Sequence, residues 1–425
     1  MRQNLMIKAL DFLYTDKSVL RARIKLQRAI IKTKKSCEKK QILVDVSVII
    51  KADARTGIQR VVRAILKHLL DNPPIGYEVK QVLANDEHNY YYADCRFFLN
   101  TGTENFVSMP SKPVLANMND IFLGLDLAVR MLPKYQSQLE CWKRNGVKIH
   151  ILVYDLLPVL HPEWFHRKTT LHYYKWLRSA AIVSDSIVCI SKTVKNDLAT
   201  WLVRKYSLTE RDLPINIIPM GGNIGASIPS MGLPENASQL LTHFMLRKTA
   251  LMVGTLEPRK GHAQVLNAFE HIWKKNDESN LLIVGKPGWK TEQLQKRILQ
   301  NPRYEKNLFW IKNVSDEFLE KIYSVSYGLI MASKGEGFGL PLIEAMQYGM
   351  PVLARDLPEF REISGSGVSF FEGKSENLTD AVFRWLNQEK KLESTRISPA
   401  VMKASWENST NALLAVILDI HNKNE

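Results

Sequence analysis

The stretch from Tyr327 to Ala354, YGLIMASKGEGFGLPLIEAMQYGMPVLA, reads as strand, loop, helix, strand. Gly328 to Ala332 is an apolar run of strand length, and Ser333, Lys334 and Gly335 break it before a helical period is established. Gly337 and Gly339 flank Phe338, so the backbone there can approach a ligand closely, and Pro341 stands where a first helical turn tolerates it. Leu342, Ala345 and Met346 form the inner face of the helix, Gly349 ends it, and Pro351 opens a second buried strand at Val352. A glycine loop feeding a helix N-terminus presents unpaired N–H groups and the positive end of a dipole, which suits a phosphate. Glu336 and Glu344 would repel a phosphate at contact, so their chemistry is to accept hydrogen bonds from hydroxyls beside it.

Phosphate and hydroxyls together describe a sugar nucleotide. The residues EGFGLPLIEA, from Glu336 to Ala345, resemble the E-x7-E signature EGFGLPxxEA of the large retaining glycosyltransferase family four. That resemblance implies an α/β chain of the GT-B type, with two doubly wound, Rossmann-like domains facing a cleft. The alternative from the residues alone is a helix-capping glutamate at Glu344 behind an ordinary glycine turn.

Working outward, 425 residues exceed what one hydrophobic core usually serves, and the 45% hydrophobic content is that of a globular protein, so two domains are expected. A formal net charge of +15 calls for an anionic partner: nucleic acid, acidic lipid or a phosphorylated substrate. No nucleic-acid module is recognisable, so nucleic acid is not expected as a partner. Cys37, Cys95, Cys141 and Cys189 are scattered without metal-ligand spacing, which fits reduced thiols and no zinc site. No apolar run approaches the roughly 20 residues of a membrane span, and the N-terminus lacks a signal-peptide pattern.

Residues 1–41 set Leu20, Ile24 and Ile31 at helical spacing among Arg21, Arg23, Lys25, Arg28 and Lys32, a basic amphipathic arm suited to an anionic membrane surface or to packing on the body. Apolar runs of strand type follow at Ile42–Ile50, Tyr77–Leu83, Asp120–Leu125, Lys148–Leu157, Ala181–Ser191 and Ile215–Pro219, and the span Thr101–Ala116 reads as loop. The composition turns to Gly, Ser and Pro after Asn223, giving a predicted linker at 226–245 between domains at 42–225 and 246–400. A last helix in 401–425 carries Trp406, Leu413 and Ile417, and the family resemblance implies that it packs back on the first domain.

The resemblance extends to Gly254-Thr255-Leu256-Glu257-Pro258-Arg259-Lys260-Gly261, similar to the family's phosphate-clamp loop. Lys260 matches the clamp lysine, while Thr255 stands where an arginine is common, leaving Arg259 as the second cation. Gly57, after the first strand, keeps one glycine of a pair that faces the donor diphosphate or the acceptor in relatives. Val314, Gly337, Phe338, Gly339, Leu340 and Glu344 complete the implied donor site. Tyr154-Asp155 replaces a His-Asp pair, so only Asp155 carries over, with His161 a candidate substitute. Glu336, Asp155 and Lys260 are the implied catalytic set, with Glu336 orienting sugar hydroxyls and Glu344 holding the ribose.

No D-x-D pair appears, so the clamp cations are expected to replace a diphosphate-bound metal, and no cofactor is expected. The segments TGIQR, GTLEPRK and EGFGLP together resemble bacterial mannosyltransferases that build lipopolysaccharide O-chains. The implied activity is transfer of mannose from GDP-mannose to a polyprenyl-diphosphate-linked glycan, at the cytoplasmic face of the inner membrane. Two readings stay open: a UDP-sugar or dTDP-rhamnose transferase of the same fold, and a non-catalytic sugar-nucleotide-binding scaffold. Release of nucleoside diphosphate in a donor screen separates them.

Overall fold

Among the described residues, apolar runs bounded by Gly, Pro and Asp become thirteen strands in two sheets, most of them followed by a helix. The computed structural model describes residues 39–93, 112–275, 277–365, 367–373, 375–387 and 405–419. Residues 1–38 of the basic arm, Cys37, Cys95 and residues 101–111 of the expected loop lie outside the described residues. The chain divides into two units, Met1–Gly221 with Trp406–Glu425, and Gly222–Ser405.

The first unit holds β1 (Lys40–Asp45), β2 (Tyr77–Leu83), β3 (Tyr91–Tyr92), β4 (Ile121–Gly124), β5 (Lys148–Val153), β6 (Ser186–Cys189) and β7 (Ile215–Ile217). Their order is β3-β2-β1-β4-β5-β6-β7, parallel throughout except for the short edge strand β3. Ile42, Leu43 and Val44 are fully buried, as a strand covered on both faces requires. The helix Trp406–Ile417 packs on the helix Gly57–Asp71 within this unit, with Trp406 and Leu413 buried.

The second unit holds β8 (Thr249–Val253), β9 (Asn280–Val284), β10 (Leu308–Ile311), β11 (Gly328–Met331), β12 (Val352–Arg355) and β13 (Val368–Phe371). They run all parallel in the order β10-β9-β8-β11-β12-β13, the Rossmann order. The order reverses between β8 and β11, and the two loops read above as clamp and E-x7-E motif leave the sheet at that reversal.

Several boundaries differ from the sequence reading. The run Ile42–Ile50 is strand only as far as Asp45, because Asp45 Oδ1 accepts hydrogen bonds from the Ser47 amide and hydroxyl and turns the chain. Val46, Ile49 and Ile50 stay buried in the turn, so hydrophobicity alone could not mark the end. The run Lys148–Leu157 ends as strand at Val153, where Asp155 caps a turn, its Oδ1 accepting from the Leu157 amide at 3.0 Å. Ala181–Ser191 is two elements: the helix Arg167–Val183 ends there, and β6 begins only at Ser186. The segment 226–245 is not a linker. Ser230 donates from its amide and hydroxyl to Asp316 Oδ2, the Gly232 amide donates to Glu317, and the helix Ala237–Leu246 follows, all inside the second unit.

At Gly261 the backbone has φ +75° and an added Cβ would lie 2.3 Å from the Ala332 carbonyl oxygen. Only glycine brings the β8 loop this close to the end of β11. Gly261→Ala is expected to lower stability by more than about 1 kcal/mol, seen as a reduced urea midpoint for the second unit. An unchanged midpoint would show that the two loops can separate without cost.

Candidate functional site

The β8 loop carries Glu257, Arg259 and Lys260 to the reversal, and the β11 loop carries Ser333 and Glu336 to meet them. Lys260 Nζ donates to Glu336 Oε1 at 2.5 Å, and Ser333 Oγ donates to the same oxygen at 2.6 Å. Arg259 Nη1 donates to Glu336 Oε2 at 2.9 Å and to the Gly335 carbonyl at 3.1 Å, while its Nε lies 2.9 Å from Glu257 Oε2. The loops are also joined through the backbone, the Lys334 amide donating to the Arg259 carbonyl at 2.7 Å.

Burial alone would raise the Glu336 carboxyl. The Lys260 ammonium, the Arg259 guanidinium and hydrogen bonds from Lys260 and Ser333 outweigh it and hold the group down at about 2. His262, buried at the start of the following helix, goes the other way: desolvation, aided by Lys260 and opposed by Glu336, pushes its imidazole down to about 3 and keeps it neutral. Glu257, Arg259, Glu336 and Lys260 therefore set two positive against two negative charges in one largely buried network.

Gly339, with φ +100°, precedes the helix Leu340–Gln347, and a Cβ there would sit 2.8 Å from the Phe360 ring. Its conformation is closed to other residues at no cost, and it points the first turn of the helix at the end of β11. Glu344, on the inner face of this helix and 1% exposed, accepts from the Tyr323 hydroxyl at 2.7 Å. Phe338 is buried, and Gly337 and Leu340 are half-buried beside Glu336 in sequence. Val314 follows β10, two strands away from β8, so it borders a different part of the sheet edge from the ion network.

Gly57 and Asp155 belong to the first unit. Gly57 opens the helix Gly57–Asp71, capped reciprocally by Thr56 and Gln59. Tyr154, at the position of the family histidine, is 2% exposed and donates its hydroxyl to the Leu125 carbonyl at 2.6 Å, so it ties the end of β5 to the end of β4. Sequence reasoning missed Asp126. Its Oδ2 accepts from the Val48 and Ile49 amides at 2.8 and 2.7 Å and so holds the β1 loop to the β4 loop, across the strand reversal of the first unit. Burial, opposed by those amides, raises its carboxyl to about 6. An acid directly after the apolar run IFLGL was the available signal.

Residues 236–398 match the family model described as "Glycosyl transferases group 1". The second unit carries a group 1 glycosyltransferase domain. Among curated relatives, the chain is 38% identical over 378 residues to the serotype-specific mannosyltransferase WbdA of Escherichia coli, covering 88% of this chain and 46% of that protein. It thus spans about half the length of that relative. The O-antigen chain mannosyltransferase RfbU of Salmonella typhimurium is 26% identical over 62% of this chain and 69% of its own length. The Anabaena protein Alr3699/HepE, solved with UDP and glucose, superposes with a TM-score of 0.59 at 16% identity, over 91% of this chain and all of its own. This likeness shows the fold alone, which is of the GT-B type.

The depressed carboxyl of Glu336 has a stability consequence. A carboxylate whose folded pKa lies near 2 stabilises the fold above its unfolded value of about 4.5, and that contribution disappears as pH falls from 4.5 to 2. Glu336→Gln is expected to lower stability at pH 7 and to flatten the acid limb of the denaturation curve between those values. Parallel acid limbs for the two proteins would mean that Glu336 is not charged and paired as described.

Proposed function

We propose that the chain is a retaining mannosyltransferase that moves mannose from GDP-mannose onto a polyprenyl-diphosphate-linked O-antigen glycan. The observation that carries this reading is the meeting of Lys260 and Arg259 with Glu336 at the strand reversal, in a chain that resembles WbdA over most of its length. Lys260, Arg259 and the N-terminal turn of the helix Leu340–Gln347 supply positive charge for a leaving diphosphate. Glu336 takes hydroxyls of the donor sugar and Glu344 those of the ribose. The same cations do the work of a diphosphate-bound metal, so the reaction proceeds without one. Residues 1–41, with their interleaved basic and apolar residues, suit attachment to the anionic cytoplasmic face of the inner membrane.

Glu336 now occupies both cations that the diphosphate requires. Donor binding exchanges carboxylate for phosphate oxygens on Lys260 and Arg259, and the exchange frees Glu336 to receive sugar hydroxyls. Charge and function are therefore coupled at one residue.

Purified protein with GDP-mannose and an oligomannoside acceptor should release GDP and extend the acceptor with retention; release from a UDP-sugar or dTDP-rhamnose instead would overturn the donor assignment. Glu336→Gln removes one negative charge from the network, so GDP should bind about 10-fold more tightly, a gain of about 1.4 kcal/mol. Turnover should fall on the order of 100-fold or more, because the sugar loses an acceptor used as the donor bond breaks. Weaker GDP binding, or near-normal turnover by the folded variant, would contradict the exchange. Activity should persist in excess EDTA; loss that magnesium or manganese restores would place a cation in the reaction.

A further inference from the structure

Where β5 leaves the sheet, the chain folds back within a few residues into the helix Leu157–Leu160 and the turn Pro162–Trp164. His161 joins them and is fixed from both sides. Its amide donates to the Leu157 carbonyl at 2.8 Å, and its carbonyl accepts from the Trp164 amide at 3.1 Å. The imidazole lies flat on the Trp164 indole, with ring centroids 4.1 Å apart and planes 11° from parallel. With the indole on one side, the histidine side chain still keeps 45% of its exposure. Glu163 Oε1 lies 3.4 Å from its Nδ1 and is more exposed still. Asp197 comes from the helix Lys192–Tyr206, which starts at the carboxyl end of the neighbouring strand β6. Burial raises its half-buried carboxyl, opposed by the neighbouring His161.

We propose that His161, Trp164, Glu163 and Asp197 form a sugar subsite that receives a pyranose ring of the acceptor glycan. A pyranose has an apolar C–H face and a rim of hydroxyls. A flat, backbone-fixed ring pair offers the first a contact surface at little conformational cost, and carboxylates accept from the second. The acids also select against an anionic ligand, so the occupant is a neutral polyhydroxyl segment and not the diphosphate of a lipid carrier. The location is the carboxyl edge of a parallel sheet, where open α/β folds bind ligands, and Asp155 lies on the same β5 loop. Tyr154 is withdrawn into the core, whereas the His161 ring reaches the surface.

This subsite rests on the proposed acceptor chemistry, and the test separates the two. Transfer from GDP-mannose to α-linked mannotriose is measured for the full chain and for His161→Ala, Asp197→Asn and Trp164→Phe. The first two variants should raise the mannotriose KM about 10-fold, the size of a lost aromatic or charged contact, with the GDP-mannose KM unchanged. Trp164→Phe keeps a ring beneath His161 and should fall between them and the parent. A folded His161→Ala protein with an unaltered mannotriose KM overturns the subsite while leaving the transferase reading intact. If the chain turns over no GDP-mannose, the proposed function fails and binding alone decides the subsite. Saturation transfer from the protein to mannotriose in the absence of donor should then be present in the parent and lost in His161→Ala; absence in the parent, or persistence in the variant, overturns it.

Discussion

Glu336 lies buried where two loops converge, and a buried carboxylate without partners would cost several kcal/mol. Lys260, Arg259 and Ser333 provide those partners from both loops, so the same contacts that make the charge tolerable also fix the loops to each other. The second unit's site depends on this pairing. It is neutral overall when Glu257 is included, which lets it stay folded without a ligand and makes it respond to an incoming anion by rearranging partners and not by ordering loops.

The strand order puts the pairing where it is. In β10-β9-β8-β11-β12-β13 the order reverses between β8 and β11, and the loops that leave these two strands meet there. Gly261 allows the β8 loop to touch the Ala332 carbonyl, and Gly339 turns the chain into the helix Leu340–Gln347. The first unit solves the matching problem at β1 and β4 with different chemistry. There the Asp126 carboxylate receives the Val48 and Ile49 amides, and Asp45 receives Ser47 and Tyr90. Burial, only partly offset by these donors, lifts Asp45 to about 7. One reversal is held by opposite charges, the other by backbone amides and hydroxyls on acids.

Loop chemistry also explains why relatives' residues do not transfer one for one. Tyr154 fills a histidine's position yet points its hydroxyl at Leu125, a tie between strands. His161 lies on the surface of the same loop, stacked on Trp164. At the clamp, Thr255 stands where an arginine is common, while Arg259 reaches Glu336 from the other end of the loop. Side-chain position in space, not place in a motif, decides which group is available to a substrate.

The sequence by itself determined the alternation of apolar runs with amphipathic helices and the glycine turns after Met331 and Val253, because local periodicity and special backbone conformations are written in neighbouring residues; Glu336 and Glu344 stood out beside one of those turns, and Arg259 and Lys260 only through the resemblance of their loop to a family's. It did not determine where Ile42–Ile50 stops being strand, since Val46 and Ile49 are as buried in the turn as Val44 is in the sheet, and the hydrogen bond that the Asp45 carboxylate accepts from the Ser47 amide sets the end. It suggested a linker where Ser230 and Gly232 are tied to Asp316 and Glu317, residues more than eighty positions away. The contact of Lys260 with Glu336 spans 76 positions, and that of Asp126 with Ile49 spans 77. Such pairs follow from the order of strands in a sheet, which is settled by packing many distant segments at once, and so only the tertiary structure decided them.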